Sequence, residues 1–138
     1  MEPDAPLRYD RLDYTPFPRS VTLARRRAHR LIGEWGHPEL ADDAALLVSE
    51  LGGNAVLHGC LRDRLFRVEL ALGERCVRIA VSDPKGELRP RLREAGSDEM
   101  FGRGLLIVAG VADRWGVDEL GVGKAVWCEL GVASAVTA

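Results

Sequence analysis

Two neighbouring segments that alternate apolar and polar residues constrain the fold of this chain more than any other feature. LFRVELAL, residues 65–72, and CVRIAVSD, residues 76–83, both carry an apolar residue at every second position. A period of two predicts β-strands with one buried face. The intervening residues 73–75, GER, begin with a GE pair that suits a hairpin turn. The positions predicted to face the core are Phe66, Val68, Leu70, Leu72, Val77, Ile79 and Val81.

The second of these strands ends at Asp83, on the same predicted face as its apolar residues. A carboxylate that points inward is costly unless it accepts hydrogen bonds, so a binding role is one interpretation. An Asp that begins a turn before Pro84 explains the position equally well. The sequence leaves both interpretations open.

Helical periodicity precedes and follows the hairpin. Residues 20–35 are predicted to form an amphipathic helix, with Ser20 as its N-cap and GHP as its end. Residues 39–58 are predicted to form a second helix. A third helix follows the glycines Gly102 and Gly104, and it carries Leu105, Val108, Ala109 and Ala112.

Three further strands complete the predicted fold. Residues 7–14 are predicted to form a short edge strand, and WGVDELGVGKAVWCEL forms two strands around a glycine-rich turn, with Val126, Cys128 and Leu130 facing the core. This order of elements predicts an α+β two-layer sandwich, with the helices on one face of a mixed, mainly antiparallel sheet. We expect a single domain over residues 1–138, with loosely ordered ends at 1–19 and 131–138.

A row of polar residues runs along the second helix. Glu50, Asn54 and His58 are four residues apart, so they share one helical face. That face lies beside the apolar stripe, which consists of Ala44, Leu47, Val48, Leu51 and Ala55. Polar groups at the edge of a core need partners, and a ligand can supply them. Taken alone, such a row is more often a solvated shoulder of the helix.

Glycines mark two further features of the sequence. Gly52 and Gly53 weaken the helix by about 1 kcal/mol each relative to Ala, which fits either a close approach to the backbone or fraying. Gly102 and Gly104 open a helix, where free backbone N–H groups form a ready anion site. Between these features, residues 84–101 have no clear period, and a loop of that length is usually functional or disordered.

The composition excludes several classes of protein. The 138 residues carry a net charge of −2, which gives no indication of a nucleic-acid or anionic-membrane partner. Three isolated cysteines without CxxC spacing favour reduced thiols over a disulfide or metal framework. There is no long apolar run and no signal-peptide pattern, so the cytoplasm is the expected location.

Four segments together resemble a known family. LLVSELGGNAVLHG, VSDPKG, GRGLLIVAGVADRWGV and GKAVWCEL are similar to the GHKL, or histidine-kinase-like, ATP-binding domains. Within that family they resemble most the anti-sigma regulatory factors with serine kinase activity, which act in bacterial partner switches. The resemblance runs from about Ser20 to Leu130. It implies a Bergerat-type ATP-binding fold, with ATP and Mg²⁺ as ligands.

The resemblance also implies a role for each matching residue. Glu50 would be the general base, Asn54 would hold Mg²⁺, and Asp83 would accept the adenine amino group. Residues 84–101 would form the nucleotide lid. Backbone N–H groups would contact the phosphates, and Gly86 would belong to the glycine box after Asp83. The residues that match the phosphate-binding element are Gly102, Arg103, Gly104 and Leu105. No role is implied for His58.

The chain departs from the family at three places. The DxGxG box reads Asp83-Pro84-Lys85-Gly86-Glu87, so one glycine is missing and the other is displaced. A Thr common near the adenine is replaced by Ala125, and Gly52 and Gly53 stand where bulkier residues are usual. These departures point to weakened nucleotide binding.

Two classes of function therefore remain. The first is a serine/threonine kinase that phosphorylates a STAS-type anti-sigma antagonist, sequesters a sigma factor and forms a homodimer by family resemblance. The second is a non-catalytic partner-switch module of the same fold, with weakened or lost nucleotide binding. DNA binding by Arg25, Arg26 and Arg27 is a distant third, because these residues fit a solvated helix face.

Overall fold

The computed structural model describes residues 5–56, 65–83, 105–119 and 123–132. In chain order these contain strand β1 (Arg8–Tyr14), helix α1 (Pro18–Glu34), a 3₁₀ turn (Pro38–Leu40) and helix α2 (Ala41–Asn54). Strands β2 (Phe66–Leu72) and β3 (Cys76–Asp83) follow, and then a third helix, α3, whose described part is residues 105–111. Strands β4 (Arg114–Glu119) and β5 (Lys124–Gly131) close the order.

The five strands form one sheet in the order β1-β2-β3-β5-β4. All four pairings are antiparallel, so the sheet is antiparallel throughout rather than mixed. The predicted hairpin of residues 65–83 is confirmed, and β3 has the predicted bounds. β1, which lies within the segment expected to be loosely ordered, pairs with β2 over all of its residues.

Helix α1 begins earlier than predicted. Its N-cap is Phe17, which makes no side-chain cap hydrogen bond, and Pro18 occupies the first turn. Pro is favoured there because its fixed φ suits the helix and its missing N–H costs nothing. Ser20 is therefore not the N-cap. Its side chain is buried, and its Oγ lies 2.7 Å from the Thr15 Oγ1. The predicted end is confirmed, because Gly36 has a φ of +98°.

Helix α2 is shorter than the predicted helix over residues 39–58. A 3₁₀ turn holds Pro38–Leu40, and the α-helix runs over Ala41–Asn54. Residues 55–56 continue as a π-helical turn, and residues 57–58 lie outside the described part. The predicted apolar stripe is confirmed: Ala44, Leu47, Val48 and Leu51 are buried, and Ala55 packs against the core.

The helices cover one face of the sheet, which makes the fold an α+β two-layer sandwich, as predicted. The covered face consists of alternate strand residues, among which Phe66, Leu70, Val77, Ile79, Val126, Cys128 and Leu130 are all buried. Ala24, Ala28 and Ile32 of α1 and Val108 of α3 complete this core. Ala109 of α3, by contrast, is exposed. Burying such apolar side chains is the dominant favourable contribution to folding.

The two described cysteines are free thiols. Cys76 is half-buried and Cys128 is buried, and neither forms a disulfide. Desolvation raises the pKa of Cys76, and it raises the pKa of Cys128 to about 12. Cys60 lies outside the described residues. Within the described ranges, no helix has the length and apolar character needed to cross a membrane.

Candidate functional site

The last turns of α2 lie over one end of the sheet. Arg67 pairs with Ser82, so Phe66 at the start of β2 lies beside the end of β3 at Asp83. A Cβ built on Gly52 of α2 would stand 3.7 Å from Cε2 of Phe66. Because Asp83 is also in register with Lys124 at the start of β5, the ends of α2 and β3 and the start of β5 share this region.

Glu50 and Asn54 are half-buried on α2, beside the buried Leu51. The predicted position of the polar row at the edge of the core is therefore confirmed for these two residues. The Glu50 carboxylate makes no hydrogen bond among the described residues, although its backbone is bonded within α2. His58, the third member of the predicted row, lies outside them.

The Asn54 side chain holds the one unpartnered buried polar atom found among the described side chains. Its Nδ2 is shielded from solvent and donates no hydrogen bond. Leaving a buried donor unpaired typically costs about 1–3 kcal/mol. An acceptor on a bound ligand would satisfy this N–H group.

The two glycines of α2 have different surroundings. A Cβ on Gly52 would meet Cγ1 and Cγ2 of Val21 at 3.5 and 3.6 Å, so this glycine lies in the contact between α1, α2 and β2. Gly53 has nothing within 4 Å of its Cβ position. The helix continues through both residues, so fraying does not account for them, and the close approach at Gly52 comes from the protein's own core.

Aromatic packing supports this end of the sheet. The rings of Tyr14 and Phe66 stack with their centroids 5.6 Å apart. Burial raises the pKa of the Tyr14 hydroxyl. Arg27 of α1 donates two hydrogen bonds to the carboxylate of Asp10 in β1. This pair connects β1 to α1. The sequence did not indicate this support, because an isolated aromatic residue in a strand pattern does not reveal which residue it packs against.

Most of the remaining predicted site residues cannot be placed. Gly86, Gly102, Arg103, Gly104 and the predicted lid at 84–101 lie outside the described residues. Asp83 is described by its backbone alone, as the last residue of β3. Leu105 begins the described part of α3, where it packs partly buried against the core.

The donor atoms at α2 fit a magnesium nucleotide. Mg²⁺ prefers oxygen ligands and is usually bound by one or two protein groups together with phosphates and water. The Asn54 carboxamide offers such an oxygen beside its unpaired N–H. Within the described ranges, no cluster of three or more His, Cys, Asp or Glu side chains could hold a metal ion by itself. The Asn54 oxygen would therefore be one protein ligand of a cation that also binds phosphates and water.

A second polar cluster, which no sequence pattern indicated, lies on the helix-free face of the sheet. The Arg78 guanidinium lies 4.3 Å from the centre of the Trp127 ring and binds Glu129. Arg114 donates to the same Glu129 at 2.6 Å, and Asp118 lies 3.8 Å from Arg78. The two arginines and the two carboxylates of this cluster have equal and opposite charge. These residues come together only through the register of β3, β5 and β4, so no local sequence pattern predicts the cluster.

Two comparisons bear on this geometry. The family model described as histidine kinase-like ATPase domain matches residues 15–129, from the residue after β1 to Glu129 near the end of β5. The polar row of α2, which consists of Glu50 and Asn54, falls within the match, and so does the end of β3 at Asp83. A comparison with curated proteins found no match.

Proposed function

Because the chain belongs to the histidine kinase-like ATPase domain family, we propose that it is an ATP-dependent serine/threonine kinase of the anti-sigma type. Membership of the family supports ATP binding. The proposal adds the phosphoryl acceptor, the role of Glu50 and the regulated partner. It follows from the resemblance of the α2, β3 and α3 segments to anti-sigma regulatory factors.

The unpartnered Nδ2 of Asn54 is the observation that carries this proposal. It lies one helical turn from Glu50, and both residues are on the half-buried face of α2. A phosphate oxygen is a strong acceptor for such an N–H group. The carbonyl oxygen of the same side chain would hold Mg²⁺, whose charge neutralises phosphate oxygens.

Glu50 is proposed to act as the general base. When ATP is bound, it supplies a transferable γ-phosphoryl group. The hydroxyl oxygen of a partner's serine forms the new bond to phosphorus, the bond to the bridging oxygen breaks, and ADP leaves. Glu50 holds the proton released by that hydroxyl. Catalysis of this type depends mainly on positioning and charge neutralisation.

The proposed acceptor is a small STAS-type anti-sigma antagonist, and the proposed second partner is a sigma factor. Both belong to the cytoplasm, where ATP is available. Arg25 and Arg26 are exposed, but Arg27 is bound to Asp10, so the three arginines do not form a continuous free patch. This pairing argues against the DNA-binding alternative.

A non-catalytic partner-switch module is the second candidate. The altered box Asp83-Pro84-Lys85-Gly86-Glu87 supports it, because a missing glycine limits how closely a backbone can approach a ligand. On this alternative the chain binds its partner without transferring phosphate.

Phosphate transfer from labelled ATP to a candidate antagonist tests the proposal. Glu50→Gln keeps the shape of the side chain and removes the base, so transfer should fall by about 10²–10⁴-fold while ATP binding is retained. Glu34→Gln, on the exposed surface of α1, is the matched control and should transfer as fast as the wild type.

Two results would contradict the proposed mechanism. If Glu50→Gln transfers phosphate at the wild-type rate, Glu50 is not the base. If the wild type binds an antagonist tightly and transfers nothing to it, the non-catalytic module replaces the kinase.

A further inference from the structure

Gly53 of α2 is not explained by the packing of the described fold. Its neighbour Gly52 lies against Val21 and Phe66, but a Cβ built on Gly53 would have nothing within 4 Å. A glycine inside a helix is destabilising relative to Ala. It is useful where another backbone approaches the helix closely, because no side chain stands in the way. Among the described residues, Gly53 therefore marks an open stretch of α2 backbone.

This open stretch lies beside the proposed general base, on a surface that we call the outer surface of α2. The surface consists of Leu46, Glu50 and Gly53, which are four and three residues apart and so share one helical face. Leu46 is 38% exposed there, whereas Leu47 and Leu51 are buried in the core. Glu50 thus lies between an exposed apolar side chain and a bare stretch of backbone.

The charge around the outer surface of α2 is negative. Residues 38–54 contain four carboxylates and no lysine or arginine. Asp42 contacts His29 at 2.9 Å. Asp43 and Glu50, which are two helical turns apart on the same side of α2, form no ion pair with a described residue. Electrostatic complementarity therefore favours a basic segment at this surface, and an acidic segment would be repelled.

We propose that the serine-bearing segment of the phosphoryl acceptor crosses α2 at Gly53, with an apolar residue on Leu46 and its basic residues near Asp43. This inference rests on the proposed kinase function, and it names the class of acceptor: a serine flanked by Lys or Arg. The acceptor backbone occupies the space that a side chain at position 53 would fill, which brings the serine hydroxyl to Glu50. Gly53 is thus a specificity-determining position.

Two serine peptides of equal length test the inference. One peptide carries two arginines before the serine, and the other carries two glutamates at the same positions. Fluorescence anisotropy with Mg-ADP present measures binding, and labelled Mg-ATP measures phosphate transfer, so that docking and catalysis are determined separately. The wild type should bind the Arg peptide at least about tenfold more tightly than the Glu peptide.

Three variants locate the docking surface. Gly53→Gln should weaken binding of the Arg peptide by at least about tenfold, because its side chain occupies the path of the peptide backbone. Gly33→Gln of α1, where the Cβ position is equally open, is the matched control and should bind like the wild type. Gln favours a helix over Gly, so urea unfolding should show that Gly53→Gln is at least as stable as the wild type. Asp43→Asn should reduce the preference for the Arg peptide by about two- to fivefold.

The two measurements distinguish failure of this inference from failure of the kinase proposal. If the binding pattern holds and neither peptide is phosphorylated, the docking surface is supported and the kinase function is wrong. If the Arg peptide is phosphorylated but Gly53→Gln binds and phosphorylates it as well as the wild type, the kinase function stands and the inference is wrong. A wild type that binds neither peptide, or binds both equally, would also overturn the inference.

Discussion

Gly52 of α2 lies against the Phe66 ring of β2, and this contact sets the end of the helix over the end of the sheet. A Cβ on Gly52 would stand 3.5 Å from Val21 and 3.7 Å from Phe66. The position therefore accepts a methyl group in ordinary contact and nothing larger. Through it, the α2 row that carries Asn54 lies in the region where β3 ends.

Substitutions at the two glycines of α2 should have opposite effects. Gly52→Leu should lower the free energy of unfolding by about 1–3 kcal/mol, because the larger side chain overpacks the contact with Val21 and Phe66. Gly53→Ala should raise it by about 0.5–1 kcal/mol, because its Cβ position is open and Ala favours the helix. Urea unfolding measures both. A Gly52→Leu variant as stable as the wild type would contradict the close packing of Gly52 against Val21 and Phe66.

Asn54→Ala should leave the ligand-free protein as stable as the wild type or stabilise it by up to about 1 kcal/mol. The reason is that the substitution removes an unpaired buried donor and introduces a better helix former. Thermal unfolding without nucleotide measures this effect. If the substitution lowers the free energy of unfolding by more than about 1 kcal/mol, the Asn54 side chain stabilises the fold and is not an unpaired donor.

Cys128 should make the protein less stable at alkaline pH. Burial raises its folded-state pKa to about 12, whereas an unfolded thiol titrates near the ordinary value. The unfolded state therefore releases its proton first, and stability should fall as pH rises from about 9 towards 12. Between pH 9 and pH 10 the expected loss is about 1 kcal/mol.

Cys128→Ala is the comparison for this pH effect. Its stability should be lower than that of the wild type at neutral pH, because a core side chain is truncated, but it should fall less steeply above pH 9. Equal slopes for the two proteins in urea unfolding at several pH values would contradict the assignment.

The sequence predicted the sheet better than the helix ends. Strict alternation fixes which face of β2, β3 and β5 is buried, because a shift by one residue would expose every apolar side chain. The start of α1 was missed because Ser20 resembles an N-cap, whereas Pro18 already supplies a preorganised first turn. The position of Ser20 depends on Thr15, a tertiary neighbour that helical periodicity does not reveal.

The candidate site was predictable only in part. The i, i+4 spacing of Glu50 and Asn54 correctly placed them at the edge of the core. The role of Gly52 was not predictable, because a close approach by Val21 and one by a ligand leave the same glycine in the sequence. The cluster around Arg78 and Trp127 arises from strand register alone, so it could be found only in three dimensions.

Calorimetric titration of the wild-type chain with ATP in the presence of Mg²⁺ tests the central claim most directly, namely that the α2 row binds a nucleotide. The wild type should bind one ATP per chain, and Asn54→Ala should bind at least about tenfold more weakly, a loss of about 1.4 kcal/mol. Glu34→Gln should match the wild type. If the folded wild type shows neither heat of binding nor a raised melting temperature at millimolar Mg-ATP, the nucleotide site proposed at Asn54 does not exist.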